Sequence, residues 1–239
     1  QCWRRKRSRI MPKKAGIAIL AVGAVLILSA LLLFFHNRQE DAQAGQEAES
    51  LLASVEAAIA EQTGTDPTVW ISPAITAQDG RKDPSESDAV PLDPEMPTIT
   101  LDGYDYVGYM QIPALELTLP VMADWDYTRL KLAPCRQFGS SRTDDLVIAA
   151  HNYESHFGRL KDLKIGDYVI FTDMQGIVNL YAVEKLGTLA PTEVDAVQNS
   201  GYDLVLYTCT AGAKSRVTVF CNRTFAAAES ASTAAAQEN

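Results

Sequence analysis

The hydrophobic and polar positions of this 239-residue chain fall into successive patterns, and the first is a long apolar run. Residues 15–35 carry no charged side chain and are dominated by Ile, Leu, Val and Ala. At about 1.5 Å per residue, a helix of this length crosses the roughly 30 Å hydrocarbon layer of a bilayer. The pattern predicts a transmembrane helix over 15–35, preceded by a basic segment at 1–14.

The charges that flank this run predict its orientation. Lys and Arg crowd positions 1–14, and positive charge is retained on the cytoplasmic side of a membrane. The N-terminus is therefore predicted to be cytoplasmic and the remainder extracellular. A cleaved signal peptide is the alternative, because residues 42–44 (AQA) have the small residues of a cleavage site. The apolar run exceeds the usual 7–15 residues of a signal peptide, which favours the membrane helix.

The patterns that follow, over 36–103, predict an extracellular helix and a Pro-rich stalk. Residues 40–62 are rich in Ala and Glu, and Leu51, Leu52, Val55 and Ile59 recur near helical spacing. From 64 to 100 the composition shifts to Pro, Asp, Ser and Thr without sustained periodicity, which is typical of a linker. A short docking element is possible within it at 69–71 (VWI).

From residue 104, short apolar runs with β-branched and aromatic residues alternate with turn signals, which indicates an all-β domain. Short helices are predicted at 126–132 and 156–163. Seven or eight strands joined by short turns predict a closed or nearly closed barrel over 104–226, followed by a low-complexity tail at 227–239. The strands are predicted at 106–112, 117–122, 146–150, 168–172, 177–186, 204–209 and 216–222, with a short extra strand near 138–141.

Composition and charge narrow the function classes. A chain that is 47 % hydrophobic and 21 % charged is too apolar to be disordered throughout. The formal net charge is −9 although the first fourteen residues are basic, so the body downstream is markedly acidic. Such a body repels phosphate backbones, and nucleic acid is excluded as a partner.

The cysteines point to a free thiol outside the cell. Cys2 precedes the membrane helix, which leaves Cys135, Cys209 and Cys221 in the exported part. Because that number is odd, at least one of them is unpaired in an oxidising compartment. Cys135 and Cys221 form either a disulfide or two buried thiols, and we expect buried thiols.

Three residues at strand ends carry candidate chemistry. Cys209 ends an apolar strand before a loop, a position that combines fixed geometry with open access. Arg216 starts the next strand, where its charge would favour a thiolate and stabilise an oxyanion. His151 follows the strand at 146–150 and is suited to act as acid and base. His156 is the alternative acid or base, but it falls within the predicted surface helix.

Three blocks of sequence resemble the sortase family of cysteine transpeptidases from the Gram-positive cell surface. Residues 107–121 (VGYMQIPALELTLPV) resemble the family's opening strands, with a Gly-x-aliphatic-x-Ile-Pro segment and a Pro-Val. Residues 146–152 (LVIAAHN) resemble the strand that bears the family histidine. Residues 206–209 (LYTC) match the last four positions of its Thr-Leu-x-Thr-Cys signature, with Val205 where the first Thr usually stands, and Arg216 occupies the place of the family arginine.

The resemblance implies an eight-stranded sortase barrel with Cys209, His151 and Arg216 as catalytic residues. Thr208, Leu206 and Asn152 are implied as substrate-binding residues. Cys209 would attack a carbonyl in a C-terminal sorting signal similar to Leu-Pro-x-Thr-Gly on a surface protein, and the thioester would pass to an amine, either a lipid-linked peptidoglycan precursor or a pilin lysine. No metal or organic cofactor is implied.

Departures from the family's subclasses leave the type of sortase open. The connection 187–203 is too short for the helical insertion of the haem-uptake group, although the His-Asn pair and residues 157–160 (FGRL) are similar to that group. A pilin-polymerising, class C-like sortase is the alternative function, since residues 66–70 (DPTVW) have the parts of its lid motif at the wrong spacing. Asp144 and Asp145 are a candidate calcium site, as in some sortases.

Other protein classes fit the sequence less well. In papain-like and NlpC-type hydrolases the cysteine precedes the histidine and starts a helix, whereas here His151 comes first and Cys209 ends a strand. An L,D-transpeptidase requires a Ser-x-Gly-Cys-like context, which is absent. The non-enzymatic alternative is a membrane-tethered adhesion or scaffold module on a degenerate barrel, which predicts no reactive thiol.

Overall fold

A computed structural model of the chain describes residues 13–64 and 93–224. The predicted docking element at 69–71, the tail at 227–239 and most of the basic segment at 1–14 lie outside these ranges. By contact density the chain divides into two units, one up to Gln43 and one from Ala44 onward.

The first unit consists of the apolar part of a long helix, α1 (Lys13–Thr63). Its side chains from Leu20 to Phe35 are exposed, as lipid-facing side chains would be in a protein without its bilayer. The helix is long and apolar enough to cross a membrane. The two predicted helices at 15–35 and 40–62 are one element, because no Gly or Pro interrupts residues 36–40.

The second unit begins with the C-terminal half of α1, which packs on a barrel. Its buried residues are Ala44, Ala48, Val55 and Ile59, separated by four, seven and four positions, so they form one stripe of the helix. Val55 and Ile59 pack in one cluster with Tyr106, Tyr109, Met122 and Met174 from the strands. This half of the helix is thus part of the domain.

In the part of the chain that the structure describes, nine strands form one sheet. The strands are β1 (Ile99–Leu101), β2 (Tyr104–Ile112), β3 (Leu117–Met122), β4 (Cys135–Phe138), β5 (Leu146–Ala150), β6 (Tyr168–Asp173), β7 (Val178–Leu189), β8 (Leu204–Cys209) and β9 (Arg216–Arg223). Neighbouring strands run in the order β2-β3-β4-β5-β8-β9-β7-β6, and β6 pairs back with β2, which closes eight strands into a barrel. The predicted eight-stranded barrel is confirmed. β1 extends the sheet beside β2.

Three predicted elements differ from the structure. The extra strand expected near 138–141 is β4, displaced toward the N-terminus. The helix expected at 126–132 is the single turn α2 (Arg129–Leu132), which begins where Asp126 accepts bonds from the amides of Thr128 and Arg129 at 2.7 and 2.8 Å. The helix predicted at 156–163 is wrong, because the segment forms a turn and a 3₁₀ turn at Leu160–Asp162.

Apolar side chains fill the barrel and cover two parts of its outside. The inner cluster holds inward-facing residues such as Ile112, Ile148 and Leu206. Outside, one cluster lies under the C-terminal half of α1. A second surrounds Val147, Val205 and Phe220 and includes Val197 from α3 (Asp195–Gln198).

Candidate active site

The strand order brings His151 and Cys209 to the same end of two neighbouring strands. β5 and β8 run parallel, with Ala150 opposite Thr208 as their last pair. His151 is the next residue after β5, and Cys209 is the last residue of β8. Because both strands point the same way, their carboxyl ends meet at one edge of the sheet. Residues that lie 58 positions apart in sequence thereby become neighbours.

Arg216 is the direct cross-strand partner of Cys209 in the antiparallel β8–β9 pair. Directly opposed residues have Cβ atoms about 4.5–5.5 Å apart and point to the same face. The connecting loop is tight: the amide of Thr210 donates to the Ser215 carbonyl at 2.9 Å, and the amide of Ser215 donates to Thr210 Oγ1 at 3.1 Å.

The Arg216 guanidinium folds over the same loop. Its Nη1 donates to the carbonyls of Ala213 at 3.3 Å and Ser215 at 3.1 Å. These two bonds use one end of the guanidinium, and Arg216 as a whole is only half-buried. Cross-strand pairing with Cys209 puts the Arg216 side chain on the same face as the thiol, where a guanidinium suits an oxyanion or a carbonyl oxygen.

Alternation along β8 separates outward from inward residues. Tyr207 belongs to an outer cluster, and Cys209, two positions on, shares its face. Leu206 is fully buried in the inner cluster, and Thr208 is 2 % exposed. Both side chains point into the barrel, so any contact of Leu206 or Thr208 with substrate would be made by the backbone, and their assignment as substrate-binding residues stays a prediction.

Thr208 instead fastens the two site-bearing strands together. Its Oγ1 donates to the Ala150 carbonyl at 2.9 Å, one residue before Cys209 on one strand and one residue before His151 on the other. A buried hydroxyl needs such a partner, so this position suits Thr better than an apolar residue of similar shape.

The loop after β5 surrounds His151 with aromatic side chains. The rings of His151 and Tyr153 are stacked at a centroid distance of 4.0 Å and an interplanar angle of 24°. His156, predicted on a surface helix, is instead fully buried and meets the edge of Tyr153 at 5.6 Å. Asn152 is half-buried beside His151. Sequence reasoning did not single out Tyr153, for which the only signal was an aromatic residue two positions after His151.

Burial distinguishes the three described cysteines. Cys135 and Cys221 are free and fully buried, as expected for buried thiols, and Cys209 is free and half-buried. Burial raises the pKa of both the Cys135 and the Cys221 thiol to about 12. Only Cys209 combines a thiol with access to solvent and a neighbouring fixed cation.

The acidic pair before β5 binds protein donors. The Asp144 carboxylate accepts hydrogen bonds from Arg223 Nε and Nη2 at 2.9 and 2.6 Å. Asp145 accepts from the Ser140 amide at 2.9 Å and from Thr143 Oγ1 at 2.5 Å. Across 13–64 and 93–224, no group of three or more His, Cys, Asp or Glu side chains is arranged to hold a metal ion. These contacts do not support the calcium hypothesis.

One family model and several solved structures are similar to this chain. The model of the Sortase domain family matches residues 110–224. A search of curated proteins found no match. Among solved structures, the chain is similar to sortase C1 from Streptococcus suis, with 27 % identity over 52 % of this chain and 76 % of that one and a TM-score of 0.45. It is also similar to sortase C-1 from Streptococcus pneumoniae, with 26 % identity over 50 % and 67 % and a TM-score of 0.44. For a sortase D5 transpeptidase from Clostridium perfringens, the identity is 17 % over 51 % and 80 %, with a TM-score of 0.45.

Residues 110–224 of the chain are a sortase domain. Its general activity is therefore that of a sortase transpeptidase, which acts on proteins that carry sorting signals and transfers them to amines.

Proposed function

We propose that the chain anchors surface proteins through a thioester on Cys209. The thiolate attacks the carbonyl carbon of the scissile peptide bond in a sorting signal similar to Leu-Pro-x-Thr-Gly. His151 protonates the nitrogen of the leaving peptide as the C–N bond breaks, which leaves an acyl thioester. An acceptor amine then attacks this carbonyl, His151 takes the proton from that amine, and Cys209 leaves as the thiolate.

The placement of Cys209 opposite Arg216 carries the proposal. Cross-strand pairing puts the cation on the same face as the thiol, where it would stabilise the oxyanion of each tetrahedral intermediate. The parallel pairing of β5 with β8 supplies His151 from the other side. A scaffold module on a degenerate barrel would have no need for these three side chains at one strand edge.

The sorting signal would lie along the outer face of β5 and β8. The outward residues there are Ala149, which is small, and Tyr207, whose phenol has its pKa raised by burial. Asn152 follows His151 at the edge of this face and is proposed as a substrate contact.

The acceptor amine is proposed to be a lipid-linked peptidoglycan precursor, with a pilin lysine as the alternative that would make the chain a pilin polymerase. The connection between β7 and β8 contains only the four-residue helix α3, which does not support the haem-uptake group. The apolar part of α1 would anchor the chain with its N-terminus in the cytoplasm and the barrel outside.

The test uses the full chain in detergent with a panel of sorting-signal peptides and two amines, a peptidoglycan stem peptide and a lysine-bearing pilin peptide. We expect cleavage, an acyl adduct visible by intact mass, and amine-dependent product. Cys209→Ala abolishes all three. His151→Ala lowers kcat by about 10²–10⁴-fold, and Arg216→Ala lowers it by about 10²–10³-fold.

Cys135→Ala is the matched control, because it also removes a thiol but from a buried position. It should keep the adduct and the product. Turnover that survives Cys209→Ala, or an adduct on another cysteine, would refute the assignment of the nucleophile. Transfer to only one of the two amines would decide between cell-wall anchoring and pilin polymerisation.

A further inference from the structure

The loop that carries His151 folds back on itself through backbone hydrogen bonds. The Tyr153 carbonyl accepts from the amides of His156 at 3.0 Å and Gly158 at 2.8 Å, and the His151 carbonyl accepts from the amide of Phe157 at 3.2 Å. A Cβ at Gly158 would lie 2.7 Å from the carbonyl oxygens of both Asn152 and Tyr153. Only glycine permits this close approach, so the path of the loop is narrowly determined.

Within this loop, three aromatic side chains follow one another from the site toward the interior. Half-buried His151 stacks on Tyr153, with ring centroids 4.0 Å apart. Tyr153 also meets His156, at a centroid distance of 5.6 Å and an interplanar angle of 60°. His156 is fully buried. Tyr153 therefore lies between a ring at the site and a ring fixed in the interior.

The C-terminal half of α1 supports the loop from another direction. A Cβ at Gly45 of α1 would lie 3.1 Å from Ser155 Cβ, so the helix backbone rests against the middle of the loop. The absence of a side chain at Gly45 allows this contact. The tip of the loop is thus held by α1 and its base by β5.

We propose that Tyr153 is a positioning residue that fixes the plane of the His151 ring, with buried His156 holding Tyr153. This inference rests on the proposed function, in which His151 transfers protons to and from nitrogen. A stacked contact engages the face of the imidazole, whereas proton transfer uses the ring edge, which carries Nδ1 and Nε2. Without Tyr153 the ring of His151 would rotate among other orientations and spend less time aimed at the leaving nitrogen.

The first test is kinetic and uses the full chain with a peptide that shows Cys209-dependent turnover. Tyr153→Ala and Tyr153→Leu are expected to lower kcat by about 10-fold with KM changed less than about twofold, because a ring face is lost but no substrate contact is. Tyr153→Phe is expected to restore kcat, since stacking needs the ring and not the hydroxyl.

Tyr202→Ala is the matched control. Tyr202 packs against Phe220 in the outer cluster, with ring centroids 5.1 Å apart at an interplanar angle of 43°, two residues before β8 begins. The strand β8 separates it from Cys209, and at about 3.3 Å per residue the five steps from Leu204 to Cys209 alone span about 17 Å. Its loss should lower stability and leave kcat unchanged. An equal fall of kcat in Tyr202→Ala would show that Tyr153 acts only through stability. Failure of Tyr153→Phe to restore kcat would show that the hydroxyl matters and not the stacked ring. Either result would overturn the proposal.

The second test does not depend on turnover. The chain has three histidines, so selective His labelling of the full chain yields few ring signals in an NMR spectrum, and His151→Ala assigns one of them. Stacking predicts a ring-current shift of the His151 signal that disappears in Tyr153→Ala and persists in Tyr153→Phe. If no peptide shows Cys209-dependent turnover, the proposed function fails by itself. An unchanged His151 signal in Tyr153→Ala would overturn the positioning role.

Discussion

Cys209 differs from the other two described cysteines in its surroundings more than in its position along the sequence. All three lie in strands, and two of them are fully buried. Cys135 faces the outer cluster under α1, and Cys221 faces the inside of the barrel. Cys209 lies where β8 meets an exposed loop, opposite Arg216. The chemical difference between the three thiols therefore comes from solvent access and charge.

This difference predicts selective labelling. In the folded chain at pH 8, iodoacetamide should modify Cys209 and spare Cys135 and Cys221, whose pKa values of about 12 leave about one thiolate in ten thousand molecules. Peptide-resolved mass spectrometry measures each site, and denaturant should expose all of them. Labelling of Cys135 or Cys221 at the rate of Cys209 in the folded chain would contradict the burial seen here.

At the scale of single elements, closure of the barrel depends on one glycine. Gly108 has φ +146° at an irregularity in β2, and it pairs with Asp173 of β6. A Cβ there would overlap the carbonyl oxygen of Thr172 and lie 2.9 Å from Asp173 Cα. Backbone rather than a flexible side chain blocks the space, so the two strands cannot approach unless position 108 is glycine.

Gly108→Ala should therefore weaken the closing seam between β2 and β6. We expect the free energy of unfolding to fall by about 3 kcal/mol or more, from the combined φ strain and overlap. Gly103→Ala is the control, because Gly103 also has a positive φ of 82° but has no atom near its added Cβ. Denaturant unfolding compares the two, and equal losses would mean that φ strain alone accounts for the effect.

The sequence predicted a helix at 40–62, but it did not predict that this C-terminal half of α1 packs on the barrel. Val55 is fully buried among strand residues, whereas Ala57, two positions on, is exposed on the same helix. Val55→Asp would place a carboxylate without a partner against Tyr106 and Met174 and should cost about 3–5 kcal/mol. Ala57→Asp introduces the same charge into solvent, and its effect should stay within about 1 kcal/mol.

Circular dichroism during denaturant unfolding measures both variants in the full chain. Similar stabilities for Val55→Asp and Ala57→Asp would mean that the helix does not pack on the barrel in solution. A large loss for Val55→Asp alone would make residues 44–63 an integral part of the catalytic domain.

At the scale of the whole molecule, charge and hydropathy divide the chain into three segments: a basic start, an apolar helix and an acidic remainder. The apolar helix is suited to the bilayer, and the two charged segments are suited to the aqueous phases beside it. The apolar window of α1 has a mean hydropathy of 2.2 and no buried residues, so water is a poor solvent for this part.

The chain is therefore expected to fractionate with bacterial membranes and to resist extraction by carbonate. Replacing Leu26 and Leu28 together by Arg should release it, because each charge in the centre of a membrane helix costs about 2.5–3.5 kcal/mol on insertion scales. Ser29→Ala is the control and should remain in the membrane. A chain that is released from cells after losing residues 1–44 would instead support the signal-peptide alternative.

Local pattern was sufficient for much of the fold. Three strands, β3, β5 and β8, have the predicted bounds, because each is a short apolar run between polar turns. The helix predicted at 156–163 failed for a related reason. Phe157, Leu160 and Leu163 recur at a spacing close to that of a helix, but all three fill the inner cluster while the chain turns at Tyr153. Periodicity reports burial and cannot by itself distinguish a helix from a packed turn.

The sequence by itself determined the family, the apolar helix, most strands and the three candidate catalytic residues, because these are recorded in composition, alternation and short motifs. Only the tertiary structure decided which side chains reach the outer face of β8, that His156 is buried behind Tyr153, and that half of α1 belongs to the barrel. These features depend on contacts between residues far apart in sequence, such as Gly45 with Ser155 and Gly108 with Thr172. No local pattern encodes such a contact, because its free energy exists only once both partners are held in place by the rest of the fold.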